Sequence, residues 1–136
     1  MKTLKVKAEI GNLAQVLEFV DGLLEELDCP MRQQMQIDVA VEELFVNVAS
    51  YAYQPLQGDV EISVWHEDNP RSVAIRFTDS GVYYDPMAKE DPDINRPAEE
   101  RQIGGLGIFM VKKSMDDMQY VRENGQNVVT IKKILQ

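Results

Sequence analysis

Leu4, Val6, Ala8 and Ile10 alternate with Lys5, Lys7 and Glu9, and this period of two predicts a strand with one wet face. After Gly11 the period changes. Leu13, Val16, Leu17, Val20, Leu24 and Leu27 recur at helical spacing as far as Asp28, with Asn12 as the expected N-cap and Gln15 three residues on. Asp28-Cys29-Pro30 breaks that helix. A second is expected from Pro30 to about Tyr53, with Ile37, Val41, Leu44 and Val48 as its core stripe, closed by Gln54-Pro55 and Gln57-Gly58-Asp59. Val60 to His66 and Ser72 to Thr78 alternate again and, joined by Glu67-Asp68-Asn69-Pro70, predict a β-hairpin. Tyr83 to Arg101 is rich in Asp, Glu and Pro and poor in apolar residues, which marks a functional loop or lid. A last helix is expected over Ile108 to Asp117, with Ile108, Val111 and Met115 inward. Two closing strands, about Met118 to Arg122 and Val128 to Ile134, meet at the turn Glu123-Asn124-Gly125. The order β-α-α-β-β-lid-α-β-β predicts an α+β sandwich of two layers.

Composition narrows the partners. The chain has 136 residues, enough for one domain with a core of its own. Its formal net charge of −9 disfavours a nucleic-acid partner, because duplex binding rests on Lys and Arg neutralising phosphates. A single cysteine, Cys29, excludes an intrachain disulfide and a Cys-rich zinc site and suggests a reducing compartment. The amino terminus alternates where a signal peptide would carry a continuous apolar run, and no apolar stretch is long enough for a membrane span. A cytoplasmic protein without membrane contact is the expectation.

Three short motifs carry candidate chemistry. In Val41 to Tyr53 the residues Glu43 and Asn47 read E-x-x-x-N; at about 100° per residue they lie about 40° apart on one face, beside the core stripe. A carboxylate and an amide oxygen there suit a hydrated cation, and equally the polar flank of an ordinary amphipathic helix. Asp79-Ser80-Gly81 ends a strand. Its carboxylate can accept a hydrogen bond from an exocyclic amine and its glycine would let a flat ring approach, although the same tripeptide is an everyday turn. Gly104-Gly105-Leu106-Gly107 precedes a helix, where converging N–H groups and the helix start favour an anion; a hinge is the plainer alternative. Lys89, Arg96 and Arg101 are the lid cations that could meet a terminal phosphate, and Arg101, three residues before the glycines, is the preferred one.

In this order, E-x-x-x-N on a helix, D-x-G after a strand, a loop and G-x-G opening a helix, the chain resembles the GHKL ATP-binding family of gyrase, histidine kinases and heat-shock chaperones. FTDSGVYYDP, GGLGIFMVKKSMDD and the Y-x-R-x-x-G-x-N run from Tyr120 to Asn127 are most similar to bacterial anti-sigma-factor serine/threonine kinases. The resemblance covers nearly the whole chain as a single ATP-binding domain, 1–136, with an ATP lid at 82–104. It implies a mixed, mostly antiparallel sheet covered on one face by helices. It further implies Glu43 as catalytic base, Asn47 as magnesium ligand, Asp79 with Gly81 at the adenine, and Gly104, Gly105, Leu106 and Gly107 as the phosphate loop. ATP and Mg2+ are the implied cofactors. The implied partners are an antagonist protein phosphorylated on serine, a sigma factor and a second copy of the chain. Where the wider family often has D-x-G-x-G, this chain has Tyr83 in place of the second glycine.

The expected function is therefore an anti-sigma-factor serine/threonine protein kinase. The alternative is a catalytically weak, nucleotide-gated module that sequesters a regulator. A free-standing ATPase is disfavoured by the lack of a domain to convert turnover into work, and a histidine kinase by the lack of a spare helix for a phospho-acceptor; His66 reads as a surface residue.

Overall fold

The computed structural model describes residues 1–53, 57–88 and 105–136. Five strands, β1 (Lys2–Lys7), β2 (Asp59–Glu67), β3 (Ser72–Asp79), β4 (Asp117–Glu123) and β5 (Gln126–Ile134), form one sheet in the order β1-β2-β3-β5-β4. Every pairing is antiparallel, so the mixed sheet expected from the resemblance is antiparallel throughout among the described residues. β3 and β4 run parallel to each other, each antiparallel to the β5 strand between them, so the connection from β3 through α3 to β4 is a crossover past one strand. The sheet's period of two is strict where it faces the helices. Val60, Ile62 and Val64 of β2, Val73, Ile75 and Phe77 of β3, and Val129 and Ile131 of β5 are all buried.

Helices α1 (Leu13–Glu26), α2 (Met31–Asn47) and α3 (Gly105–Ser114) cover that face. α2 touches both of the others and carries the centre of the core: Ile37, Ala40, Val41, Leu44 and Phe45 are buried along it. Burying the Ile, Val, Leu and Phe side chains among these stabilises by about 1.5–3 kcal/mol each. Ile108, Val111 and Met115 point inward as expected. α3 is described from Gly105, three residues before the predicted start, so Gly105 and Gly107 lie inside the helix.

Two local expectations are corrected. Ile10 does not extend the first strand: the chain leaves β1 after Lys7 and makes a 3-10 turn over Ile10–Asn12, leaving Ile10 exposed. Asn12 does not cap α1 with its side chain. Its backbone is not extended (φ −93°, ψ 0°), which turns the side chain away from the helix start, and its Nδ2 donates to the Lys7 carbonyl at 2.9 Å. At the far end α2 does not stop at Asn47 but widens into a π-helical turn, Val48–Ala52. Such turns recur at functional sites.

Lys133 lies in the inward phase of β5, and its Nζ donates to the Ser114 carbonyl at 2.6 Å, closing the C-terminal end of α3. On the opposite sheet face Trp65 donates to Glu67 at 2.9 Å, Arg76 lies 5.2 Å from the Trp65 ring centroid, and Lys132 meets Glu67 at 2.8 Å. Among the described residues no helix is long and apolar enough to cross a membrane.

Asp21 of α1 and Asp38 of α2 meet across the helix pair, each with a buried carboxylate oxygen that has no donor while both groups are ionised. A shared proton turns the pair into donor and acceptor. Burial, then the hydrogen bond and charge of Asp21, push Asp38 up to about 7. A folded-state value raised above the unfolded one means that this pair's contribution is full below about pH 4 and is lost as pH rises through about 7. Asp38→Asn, which keeps a donor facing Asp21, should therefore melt above wild type at pH 8 and close to it at pH 5. Equal differences at both pH values, followed by thermal circular dichroism, would contradict the shared proton.

Candidate functional site

Asp79 is the last residue of β3 and continues the inward phase of Val73, Ile75 and Phe77, which places a carboxylate against the core. It is 5% exposed. An ionised carboxylate taken out of water costs several kcal/mol unless it is hydrogen-bonded. Oδ1 of Asp79 accepts from the Gly81 N–H at 2.9 Å and from Asn127 Nδ2 at 3.0 Å. Asn127 lies directly across the β3–β5 pairing, in the buried phase of Val129 and Ile131.

A cleft opens from this carboxylate between the end of α2 and the sheet. Leu44, Val48, Phe77 and Val129 form apolar walls, Asp79 and Asn127 the polar end, and Asn47 a polar edge on the α2 side. The Asn47 Nδ2 is buried and has no partner among the described residues. Tyr84 and Pro86 close the remaining side, and Tyr84 stacks on Tyr51 of the π turn with centroids 5.8 Å apart. As folded, about 30 Å3 of the cleft admits water, room for roughly two molecules.

Two of the motif glycines are closely approached by the protein itself. A Cβ on Gly81 would strike the backbone of Ala52, and the Val82 N–H donates to the Ala52 carbonyl at 2.8 Å. The space beside Gly81, expected to admit a flat ring, is thus filled by the π turn. Tyr53 adds a second stitch, donating to the Asp59 carbonyl at 2.6 Å and accepting from the Ser80 N–H at 2.7 Å. A Cβ on Gly107 would collide with the Glu43 carboxylate, so Glu43 lies directly against the first turn of α3.

The structure therefore brings Glu43, Asn47, Asp79, Gly81 and Gly107 around one end of the sheet, with Gly105 and Leu106 opening α3 beside them. Arg101, Gly104 and the lid beyond residue 88 lie outside the described residues. Tyr83 neither enters the cleft nor packs beneath the chain: it is exposed, edge-on to Tyr120 at 6.0 Å. Sequence reasoning assigned no role to Asn127, Tyr84 or Arg122. The signal for Asn127 was a polar residue in the core phase of a strand.

A helix pair carrying E-x-x-x-N, an antiparallel sheet ending in D-x-G and a glycine-led third helix define an ATPase-like domain. The family model of the histidine kinase-like ATPase domain matches residues 6–133, and the chain belongs to that family. Among curated proteins it is similar to the serine-protein kinase RsbW of Bacillus cereus (strain B4264), 26% identical over 136 residues, covering 96% of this chain and 83% of that one. The serine-protein kinase RsbW of Listeria monocytogenes serovar 1/2a (strain ATCC BAA-679 / EGD-e) is 29% identical over 102 residues, covering 72% and 64%. A crystal structure of the RsbU and RsbW domains of Rv1364c from Mycobacterium tuberculosis shares the fold, with a TM-score of 0.64 and 15% identity. The match covers 99% of this chain and 33% of that one. The resemblance drawn from the motifs, and the fold class it implied, are borne out.

Gly107→Ala tests the contact with Glu43. The atom that must yield is the free end of the Glu43 side chain, and Ala improves helix propensity by up to about 1 kcal/mol. The variant should melt at or above the wild-type temperature by thermal circular dichroism, and a clearly lower melting temperature would mean that the Glu43 side chain cannot yield.

Proposed function

We propose that the chain is an ATP-dependent protein kinase that phosphorylates a serine or threonine of a small antagonist protein and holds a sigma factor when that antagonist is absent. The observation that carries this reading is the placement of Glu43 and Asn47 on one flank of α2, between the glycine start of α3 and the cleft that ends in Asp79. The names of the RsbW relatives support the phosphotransfer and its serine acceptor.

In this reading Asp79 accepts a hydrogen bond from the exocyclic amine of adenine, and the apolar walls take the ring. Glu43 orients or deprotonates the attacking hydroxyl. The start of α3, with Gly105 and Gly107, lies where backbone N–H groups favour the charge of the transferred group, and Arg101 is proposed as the cation for the terminal phosphate. The residues fit a magnesium ion that draws most of its ligands from phosphate and water. Asn47 would ligate it through its amide oxygen; the buried Nδ2, without a partner among the described residues, is a donor suited to a phosphate oxygen and not to the cation. Bound there, magnesium would neutralise phosphate charge.

One observation favours a second reading, a nucleotide-gated module with little turnover. Tyr84 and Pro86 form one wall of the cleft that ends in Asp79, so their position gates the entry of a base. A partner retained equally with and without nucleotide would count against that gate.

Calorimetric titration with ATP and magnesium should show binding in the wild type and none in Asn47→Ala. Transfer of label from ATP to an antagonist-like partner should fall about a hundredfold or more in Glu43→Ala. Transfer that survives this substitution would remove Glu43 as the base.

A further inference from the structure

Asn127 uses every hydrogen-bonding position of its amide on the protein itself. Nδ2 donates to Asp79 Oδ1 at 3.0 Å and to the Val82 carbonyl at 2.8 Å. Oδ1 accepts from the Tyr120 hydroxyl at 2.6 Å, from Arg122 at 3.1 Å and from the Tyr84 N–H at 3.3 Å. The partners on one side are all acceptors and on the other all donors, which fixes the orientation of the amide. An amide so occupied has nothing left with which to read a ligand, although it lines the cleft.

Its partners fall into two groups. One is Asp79; the other is the root of the lid, where Val82 and Tyr84 are held by Asn127 and the Gly81 carbonyl by Arg122 at 2.8 Å. Asp79 Oδ1 is saturated by Gly81 and Asn127, and among the described residues Oδ2 accepts no hydrogen bond. We propose that Asn127 is a positioning residue that leaves one oxygen of Asp79 for the base of a nucleotide and fastens the lid root to that same carboxylate. The inference rests on the nucleotide-site reading above and deepens it: order at the lid root and affinity for the base are set by one amide.

Asn127→Asp tests this. It keeps the shape and the oxygen that accepts from Tyr120, Arg122 and Tyr84, but sets an oxygen against Asp79 Oδ1 and the Val82 carbonyl. Two carboxyls at that distance must share a proton to bond. The surrounding groups are Arg122 and Tyr120 from β4, Tyr83, Tyr84 and Asp85 from the lid root, and Tyr53 beside Asp59. Burial raises the Tyr53 and Tyr120 phenols away from the pH values used. His66 pairs with Val73 at the other end of the β2–β3 ladder.

At about pH 8 the variant should bind ATP with magnesium at least about tenfold more weakly than wild type, and at about pH 5.5 that ratio should shrink toward one. Asn127→Ser, neutral and short, should be weakened by a similar factor at both pH values and carries the test if the acid variant does not fold at the higher one. Wild-type affinity in Asn127→Asp at about pH 8, or an equal loss at both pH values, would overturn the proposal. Amide protection at Gly81 and Tyr84, read by NMR without nucleotide, tests the strut separately. It should fall in Asn127→Asp at about pH 8 and recover at about pH 5.5, and unchanged protection would overturn the proposal. If the wild type does not bind ATP, the nucleotide reading fails while this second measurement still decides the strut.

Discussion

The arrangement depends on keeping one carboxylate buried at the end of a core strand. Asp79 follows Phe77 in the inward phase of β3, and nothing in the apolar wall around it could stabilise its charge. The two N–H donors on Oδ1 do so, each hydrogen bond to a charged group contributing about 1.5–3 kcal/mol. Both donors come at a structural cost. The Gly81 N–H reaches back only because the chain turns immediately after β3, and that turn is pressed so closely on Ala52 that no side chain fits. Asn127 is a polar residue in a core position, tolerated because every atom of its amide is paired.

The π-helical turn belongs to the same constraint. By widening after Asn47, α2 carries Ala52 and Tyr53 to the D-S-G loop, where one accepts from Val82 and the other bridges Ser80 and Asp59. Asn47 is left at the last α-helical position, at the edge of the cleft, and Glu43 one turn earlier against Gly107. The three sequence motifs thus hold one another: the second is seated on the end of the first, and the third begins against its carboxylate.

Much of this was legible in the sequence, because periodicity reports burial. The alternation in β2, β3 and β5 and the stripe of α2 each identified the face that the core occupies. The motifs singled out Glu43, Asn47 and Asp79 as candidates by their order along the chain, and the fold brings the three around one end of the sheet. What escaped were features set by contacts distant in sequence. That Gly81 makes room for Ala52, or that Gly107 makes room for Glu43, depends on how a helix end meets a loop. Asn12 read as a cap by residue type, but the 3-10 turn before it decided its conformation. Asn127 was quoted only as the end of the Y-x-R-x-x-G-x-N run; its place in the phase of Val129 and Ile131 marked it as a polar core residue, but its partners, spread from Asp79 to Tyr120, were not legible.

The central claim is that Asp79 is held as an acceptor for the base of a nucleotide. It is tested most directly by titrating wild type and Asp79→Asn with ADP and magnesium in parallel, with circular dichroism to verify that both are folded. The account predicts binding in the wild type and a loss of at least about tenfold in a variant that remains folded, since an amide cannot serve as the same acceptor while bonded to Gly81 and Asn127. Equal affinity in the two proteins would contradict it.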